Sequence, residues 1–346
     1  MLLYFCRMTK IRPFKAIRPT RDKVHLVASR SYVSYSPEHL HDKLTENPYT
    51  FIHVINPEFG QKGPSSEGKT KFKKVRERFE SFMDEGVYVQ DTKPSFYIYK
   101  QTKQGAEPII SYTGIIAGAS IDDYMQGHIK VHEQTLTKRE NMFKDYLDVC
   151  DFNAEPVLLT YPQQPVIDVL VNKYFKTRPE YDFTSTNKDR HSLWLVNDPE
   201  DVESIIRCFE QVEDLYIADG HHRSASSVLL GQDRRKKAGH FTGEEPFNFF
   251  MSLLVPENQL QIFDFNRLVT DLNHLYPQEF LEQLAEVAEI EARGEEQFQP
   301  RQLHEMSLYL EGQWYALRWK KELIHSDDPV ASLDAYLLSK YVLDPI

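Results

Sequence analysis

The segment from Leu215 to Ser227 constrains the fold of this chain more than any other. Leu215 to Ala218 is a short apolar run, which predicts a buried strand. Asp219-Gly220 predicts a tight turn, because glycine tolerates a positive φ or the close approach of another group. A helical pattern follows from His221 to about Lys237. We therefore expect a strand–turn–helix unit here.

The turn itself, Asp219-Gly220-His221-His222-Arg223, has the composition of an anion site. The first N–H groups of a helix have no intrahelical acceptor, and they point outward with the positive end of the helix dipole. A guanidinium and two imidazoles add further donors. Metal binding ranks second, because side chains at adjacent helical positions diverge by about 100°, and we assign no metal ligand. The 219–223 turn is predicted to bind phosphate.

Composition limits the class of protein. The chain has 346 residues, of which 41% are hydrophobic and 27% are charged, as in soluble globular proteins. Strand and helix patterns interleave without repeats, so we expect a mixed α/β fold with mixed sheets. The net charge of −11 argues against a nucleic-acid partner. No apolar run approaches the roughly 20 residues that span a bilayer, and three scattered cysteines indicate no disulfide framework. We expect a cytoplasmic protein without a membrane partner.

The chain divides on sequence grounds into a disordered leader (1–10), an N-terminal α/β region (11–160) and a C-terminal α/β region (161–346) that contains the 219–223 turn. A single intertwined domain is the alternative. The patterns predict strands and helices in turn. The predicted strands are 24–28, 50–55, 95–100, 112–121, 155–161, 191–196, 215–218, 247–255, 260–263, 306–310 and 314–319; the main predicted helices begin at Pro37, Lys69, Thr137, Pro165, Pro199, His221, Pro277 and Pro329.

A second informative stretch runs from Gly127 to Lys138, just ahead of the helix predicted from Thr137 to Cys150. Thr137 and Glu140 fit a capping box. Acid/base groups, lysines and a helix N-terminus are what phosphoryl transfer requires. A polar loop with ordinary capping explains the same residues equally well. The candidates here are His132 and Glu133 as the acid/base pair, Lys138 and Lys130 as neutralising charges, and Thr135 as a phosphate ligand.

His53 and Glu58 lie near the end of the strand predicted at Thr50 to Ile55. Loops at strand ends often hold catalytic groups. Packing of His53 on the sheet and a solvated Glu58 is the simpler interpretation when these two residues are taken by themselves. We retain both as additional candidates.

Several motifs in order make the chain resemble the bacterial and archaeal family of unknown function numbered 1015, from Ile11 to Leu343. Members of that family have His-Arg where Asn266-Arg267 stands here, so Arg267 becomes a further candidate. The motifs are Arg12-Pro-Phe14, Asn47-Pro48, His53, Pro57-Glu58, Phe96-Tyr-Ile-Tyr99, Ile129-Lys130-x-His132-Glu133-x-Thr135, Pro156-Val-Leu-Leu-Thr-Tyr161 and Ile217-Ala-Asp-Gly-His-His-Arg223.

The same turn is also similar to the strand–turn–helix of the ParB/sulfiredoxin superfamily. That resemblance implies that Gly220, His221, His222 and Arg223 hold the phosphates of a nucleotide (ATP, ADP or CTP), with Mg²⁺ alongside. The cysteine that sulfiredoxin requires has no counterpart in this turn.

These observations lead to a nucleotide-dependent phosphotransferase acting on a small hydroxyl metabolite, with serine or a similar hydroxy amino acid as substrate. The alternative is a nucleotide-gated switch protein that hydrolyses triphosphate slowly. Metal-dependent hydrolysis through His221 and His222 is a third hypothesis.

Overall fold

A computed structural model describes residues 9–31, 34–60, 65–105, 109–133, 135–261, 266–325, 327–328 and 330–346. The chain forms two compact units, the first up to Gln261 and the second from Ile262. Residues 1–8 of the predicted leader lie outside the described part. Thr9 is buried, and its hydroxyl donates to the carbonyl oxygen of Phe209 at 2.7 Å.

One mixed sheet forms the centre of the first unit. Strand β6 (Ile129–Lys130) pairs in parallel with β10 (Leu215–Asp219), and β7 (Val157–Tyr161) pairs in parallel with β11 (Phe249–Pro256). The other neighbouring strands of the sheet are antiparallel. The mixed α/β class expected from the sequence is therefore confirmed. In spatial order the strands are β6 (Ile129–Lys130), β10 (Leu215–Asp219), β7 (Val157–Tyr161), β11 (Phe249–Pro256), β5 (Ile110–Ser120), β4 (Phe96–Lys103), β9 (Asp189–Val196) and β8 (Tyr181–Thr184), with β1 (Ile11–Arg12) also paired to β5.

Helices cover this sheet because each has an apolar stripe at helical spacing. Buried residues of the sheet pack with Ile121, Ile167, Ile205, Phe209 and Val228 in one core. These side chains come from α5 (Ile121–Met125), α7 (Pro165–Phe175), α8 (Pro199–Phe209) and α9 (His221–Ala238). Helix α6 (Thr137–Cys150) packs against α9.

The first part of the unit is a helical cluster with its own core around Val27, Val54, Val75 and Phe82. It consists of α1 (Val24–Val27), α2 (Pro37–Glu46), α3 (Ile52–Ile55) and α4 (Gly68–Asp84), with β2 (Ile17–Pro19) paired to β3 (Tyr88–Gln90).

Two strands predicted in this cluster are wrong. Residues 24–27 and 52–55 each form a helical turn, closed by bonds from Ala28 N to Val24 O at 2.9 Å and from Asn56 N to Ile52 O at 2.7 Å. Short apolar runs do not distinguish a strand from a buried helical turn. Packing within the cluster therefore determines that both segments are helical.

Helix starts were predicted more accurately than strands. Ser36 accepts a bond from the N–H of His39, and Asp198 accepts from the N–H groups of Glu200 and Asp201. The capping box predicted between Thr137 and Glu140 is wrong, because the N-cap position of α6 is Leu136.

The boundary predicted between the two regions, at residue 160, lies inside β7. The sheet therefore contains strands from both sides of that boundary. Of the strand predicted at 260–263, Leu260 and Gln261 are not in a strand, and 262–265 lie outside the described residues.

The second unit is a small three-stranded sheet with helices. The predicted hairpin is confirmed as β13 (Glu305–Leu310) paired with β14 (Gln313–Trp319), and β12 (Ala288–Gly294) lies on the other side of β14. Helix α10 (Pro277–Val287) precedes β12. The last helix begins later than predicted, as α11 (Asp334–Leu338), and continues as a π-helical turn (Ser339–Leu343). No helix in the described ranges is long and apolar enough to cross a membrane.

Candidate functional site

The turn between β10 and α9 has the backbone that its sequence predicts. Gly220 has a φ of 101°, and α9 begins at the next residue, His221. The first intrahelical bond runs from Ser224 N to Gly220 O at 2.9 Å. The N–H groups of residues 221–223 precede that bond and therefore have no acceptor within the helix. They point out of the end of an 18-residue helix.

Helix α6 runs parallel to α9 and begins at the same end. Along the pair, Ser226 donates to the carbonyl of Glu140 at 3.0 Å, and Lys144 lies 3.0 Å from Asp233. Farther along, Arg234 lies 2.9 Å from Asp151. Residue numbers rise together on both helices, so both N-termini and both positive dipole ends face the same side of the unit.

The loop after β6 emerges beside this pair of N-termini. Strand β6 pairs in parallel with β10, with Lys130 opposite Tyr216. Parallel neighbours leave a sheet at the same edge. The loop that contains His132 and Glu133 therefore leaves the sheet where Asp219 and Gly220 do.

Three side chains meet at this point: His132, Glu133 and His221. The Nδ1 atom of His221 is 3.2 Å from Oε2 of Glu133, and the rings of His132 and His221 meet edge to face with centroids 4.4 Å apart. One ligand atom from each residue lies within 4.8 Å of the others. The sequence separately singled out two of these residues in one stretch and the third in another, and the fold brings them together.

Burial sets the electrostatics of this cluster. The side chain of His221 is 3% exposed, whereas those of His132 and Glu133 are at the surface. Desolvation lowers the pKa of His221, and the Glu133 carboxylate partly opposes that shift. The neutral imidazole is therefore favoured. Its Nε2 atom and Nδ1 of His222 are buried without a hydrogen-bond partner in the described part of the chain.

Arg223 lies against the turn. Its guanidinium donates to the carbonyl of Pro156 at 2.6 Å and to the carboxylate of Asp219, and it is 3.5 Å from Oε2 of Glu155. A Cβ at Gly220 would stand 3.3 Å from Nε of Arg223. Glycine thus provides both the positive φ and the room for this side chain. The guanidinium is shared between two carboxylates, so an anionic ligand must compete with them.

The other residues predicted for this site have different partners. Nζ of Lys130 is 3.1 Å from Asp214, and the hydroxyl of Thr135 donates to the Glu140 carboxylate. Thr135 is therefore bound to a side chain in the first turn of α6, and no side chain among the described residues caps that helix. Lys138 is exposed in the first turn of α6, at the positive end of that helix.

His53 and Glu58 lie in the N-terminal helical cluster. Nε2 of His53 is 3.0 Å from the carbonyl oxygen of Leu44, and burial lowers the pKa of His53. Glu58 accepts from Lys74 at 2.6 Å and from the N–H of Ser66, and these bonds lower its pKa to about 2. Neither residue belongs to the His132–Glu133–His221 cluster. Arg267 belongs to the second unit.

Sequence reasoning missed Glu155 and Asp214. Glu155 faces Arg223 and Asp214 faces Lys130, so each moderates a cation that had been assigned to phosphate. Glu155 directly precedes the family motif that begins at Pro156. That position is the one sequence signal for its pairing with Arg223.

The donor set favours some metals over others. Two imidazoles and one carboxylate suit zinc and similar transition metals, whereas Mg²⁺ prefers oxygen ligands. Asp219 and Glu155 offer such oxygens, but both face Arg223. The residues therefore fit Mg²⁺ only where it arrives with phosphate oxygens of a ligand.

Comparison with known proteins gives one match. Neither the search of curated proteins nor the search of solved structures found a relative. A family profile described as "Protein of unknown function (DUF1015)" matches residues 11–336, which is most of the chain. The chain therefore belongs to the DUF1015 family.

Proposed function

We propose that the protein is a nucleotide-dependent phosphotransferase that acts on a small hydroxyl metabolite such as serine. The observation that supports this most is that α6 and α9 run parallel and begin at the same end, where His221 is the first residue of α9. Two dipole ends, free amides of residues 221–223 and one guanidinium at a single point favour a phosphate chain. A nucleotide is the common small molecule with such a chain. We place the reaction in the cytoplasm.

We assign the following roles within this proposal. The amides of residues 221–223 and Arg223 hold the phosphates, and Lys138 and Lys130 offset their charge. The acceptor hydroxyl forms a bond to phosphorus as the bond from phosphorus to the leaving nucleotide oxygen breaks. The hydroxyl proton passes to His132, which is exposed and next to Glu133. Buried His221 positions this pair. Asp219 and Glu155 would offer oxygen ligands to a Mg²⁺ ion that arrives with the phosphates, and the ion would supply charge neutralisation.

Thermal-shift measurements with ADP, ATP, CTP, GTP and pyrophosphate, each with Mg²⁺, test the binding half of this proposal. A ligand at 100 times its Kd adds about 2.7 kcal/mol of apparent stability. We expect the shift in the wild type and its loss in Arg223→Ala. Lys236→Ala is the matched control, because it removes an exposed cation at the other end of α9. Equal protection of wild type and Arg223→Ala would remove the guanidinium from the site.

Turnover separates the transferase from a nucleotide-gated switch. A transferase consumes triphosphate only with a hydroxyl acceptor, whereas a switch releases phosphate slowly without one. Phosphate release at the same rate with and without a panel of hydroxy amino acids would favour the switch.

Metal-dependent hydrolysis is a second candidate, favoured by the three ligand atoms within 4.8 Å of one another. Two histidines and a glutamate are a known set for catalytic zinc. Elemental analysis of the purified protein decides between these roles. Stoichiometric zinc that is lost in both His132→Gln and Glu133→Gln would support the hydrolase over the acid/base assignment.

A further inference from the structure

A cavity of about 360 Å³ lies at the other edge of the large sheet. We call it the distal cavity; its walls include Arg30, Lys43, Tyr99, Phe183, Asn187 and His191. Five strand spacings separate β10 from β9 in the sheet order, which is roughly 24 Å at 4.8 Å per spacing. A group bound in the distal cavity cannot react with one bound at the 219–223 turn, so this cavity is a separate site.

Strand register builds the floor of the distal cavity. Gln101, His191 and Phe183 stand opposite one another on β4, β9 and β8. Tyr99 is two residues from Gln101 and thus on the same face of the sheet. The ring of His191 stacks on that of Phe183 at 5.2 Å and 24°, and on that of Tyr99 at 6.0 Å and 22°. The three half-buried rings form one stacked row across the three strands, with His191 in the middle.

This floor is uncharged. Burial lowers the pKa of His191, so its neutral form is favoured. Nδ1 of His191 is 2.6 Å from the hydroxyl of Tyr99, and Nε2 is 3.2 Å from the hydroxyl of Ser185. A neutral imidazole meets both contacts by accepting from Tyr99 and donating to Ser185. A neutral, hydrogen-bonded row of stacked rings suits an aromatic ligand, whose face can pack against the ring edges.

The part of the wall that comes from the N-terminal helical cluster is cationic. The guanidinium of Arg30 lies 4.7 Å from the centre of the Tyr35 ring, and Nζ of Lys43 lies 5.8 Å from the same ring. Neither cation pairs with a carboxylate in the described ranges, whereas Arg18 and Arg190 do. Arg30 and Lys43 thus share one aromatic ring and have no carboxylate partner in the part of the chain that the structure describes. They leave a positive charge that an anion can neutralise.

Asp189 is the carboxylate in the wall, and it already has partners. It accepts from the side-chain amides of Gln101 at 3.1 Å and Asn187 at 2.6 Å. These bonds hold Asp189 at the β8–β9 loop, while the two cations come from the segment after α1 and from α2. The carboxylate is therefore already hydrogen-bonded, and it comes from a different segment of the wall than the two cations.

We propose that the distal cavity binds a small molecule with one planar ring system and one anionic group. The ring lies on Tyr99, His191 and Phe183, and the carboxylate or phosphate lies at Arg30 and Lys43. The volume is near the lower end of the 300–1,000 Å³ typical of ligand sites. That size admits an aromatic carboxylate or a nucleoside monophosphate and excludes a dinucleotide.

Calorimetric titration with four probes tests this proposal. The probes are 4-hydroxybenzoate (ring and carboxylate), AMP (ring and phosphate), inorganic phosphate (no ring) and 4-hydroxybenzyl alcohol (no charge). We use Arg223→Ala as the background so that binding at the 219–223 turn does not contribute. The outcome is then independent of the proposed phosphotransferase. We expect one of the two ring-bearing anions to bind at least tenfold more tightly than either partial probe. The probe that binds more tightly shows whether the anionic group of the ligand is a carboxylate or a phosphate.

The double variant Arg30→Gln/Lys43→Gln should weaken that binding at least tenfold. Lys236→Gln/Lys237→Gln removes the same charge from the far end of α9 and should leave it unchanged. Arg30 and Lys43 have no ion pairs to lose in the described ranges. The melting temperature of the unliganded double variant should therefore equal that of the control. Failure of both ring-bearing anions to bind, or equal binding to both double variants, overturns the proposal. Phosphate binding as tightly as AMP overturns the role of the aromatic floor.

Discussion

Nδ1 of His221 lies 3.2 Å from Oε2 of Glu133, and the imidazole ring of His221 is buried. The carboxylate favours the protonated imidazole, and burial favours the neutral one. Burial is the larger effect, because the pKa of His221 is lowered. Burial therefore keeps His221 neutral at physiological pH, with Nδ1 turned toward the Glu133 carboxylate.

Replacing the carboxylate should lower the pKa of His221 further. Glu133→Gln keeps the shape of the side chain but removes the charge that opposes desolvation. Ring-proton NMR on metal-free protein measures the titration in both forms. The wild-type pKa should lie below the ordinary value of about 6.5, and that of Glu133→Gln lower still. An unchanged pKa in the variant would show that the 3.2 Å contact does not persist in solution.

The same pKa shift makes stability fall toward acid. Below pH ~6.5 the unfolded chain protonates residue 221 before the folded chain does, so the unfolded state binds more protons. The contribution of His221 to the free energy of unfolding should therefore decrease as pH falls from 7 to 5. His221→Gln should show a weaker decrease than the wild type in urea titrations. An equal slope in both proteins would assign the pH dependence to other groups.

Gly220→Ala should lower the free energy of unfolding and displace the side chain of Arg223. A side chain at φ 101° is strained, by about 1–2 kcal/mol, and its Cβ would stand 3.3 Å from Nε of Arg223. Gly239→Ala is a matched control, since Gly239 ends the same helix at φ 70° and its Cβ would meet no atom within 4 Å. Both variants should be destabilised in urea, but only Gly220→Ala should also weaken pyrophosphate binding. Equal pyrophosphate affinity of the two would separate the turn from the ligand.

The 219–223 unit was predictable because its signals are local. An apolar run, a glycine and a helical pattern follow one another, and the structure ends β10 at Asp219 and begins α9 at His221. The approach of His132 and Glu133 was not predictable, because it depends on parallel pairing of β6 with β10. Strand β6 is two residues long, and nothing in Ile129-Lys130 specifies its neighbour.

The misassigned segments have a related cause. Residues 24–27 and 52–55 are as apolar as strands of the sheet, and only the surrounding cluster made them helical. The charges of the site show the same limit. Lys130 and Arg223 are cations in the sequence, but Asp214 and Glu155 reach them through the fold.

Removing Glu155 should strengthen anion binding. Its carboxylate is 3.5 Å from the guanidinium of Arg223 and its side chain is 65% exposed, so the pair is worth at most about 1 kcal/mol. Glu155→Gln should therefore bind pyrophosphate up to about fivefold more tightly in low salt without Mg²⁺, by calorimetry. The gain should shrink at high salt, where exposed charges are screened. Weaker binding in Glu155→Gln would instead mean that this carboxylate helps to hold the ligand.

Asp123 should limit stability at neutral pH. It is 6% exposed on α5, it accepts from the N–H of Lys10 at 2.6 Å, and burial raises its pKa to about 6. Between pH ~4 and 6 the folded chain keeps a proton that the unfolded chain has lost, so the free energy of unfolding falls as pH rises through this window. Asp123→Asn remains neutral and can still accept from Lys10. It should match the wild type near pH 4 and exceed it by about 3 kcal/mol at pH 7, since the pKa is raised from 3.8 to about 6 and one unit of pKa corresponds to ~1.4 kcal/mol. Urea titrations at the two pH values measure the difference. A variant less stable than the wild type at pH 7 would mean that the ionised carboxylate is compensated, and that the bond to Lys10 outweighs its desolvation.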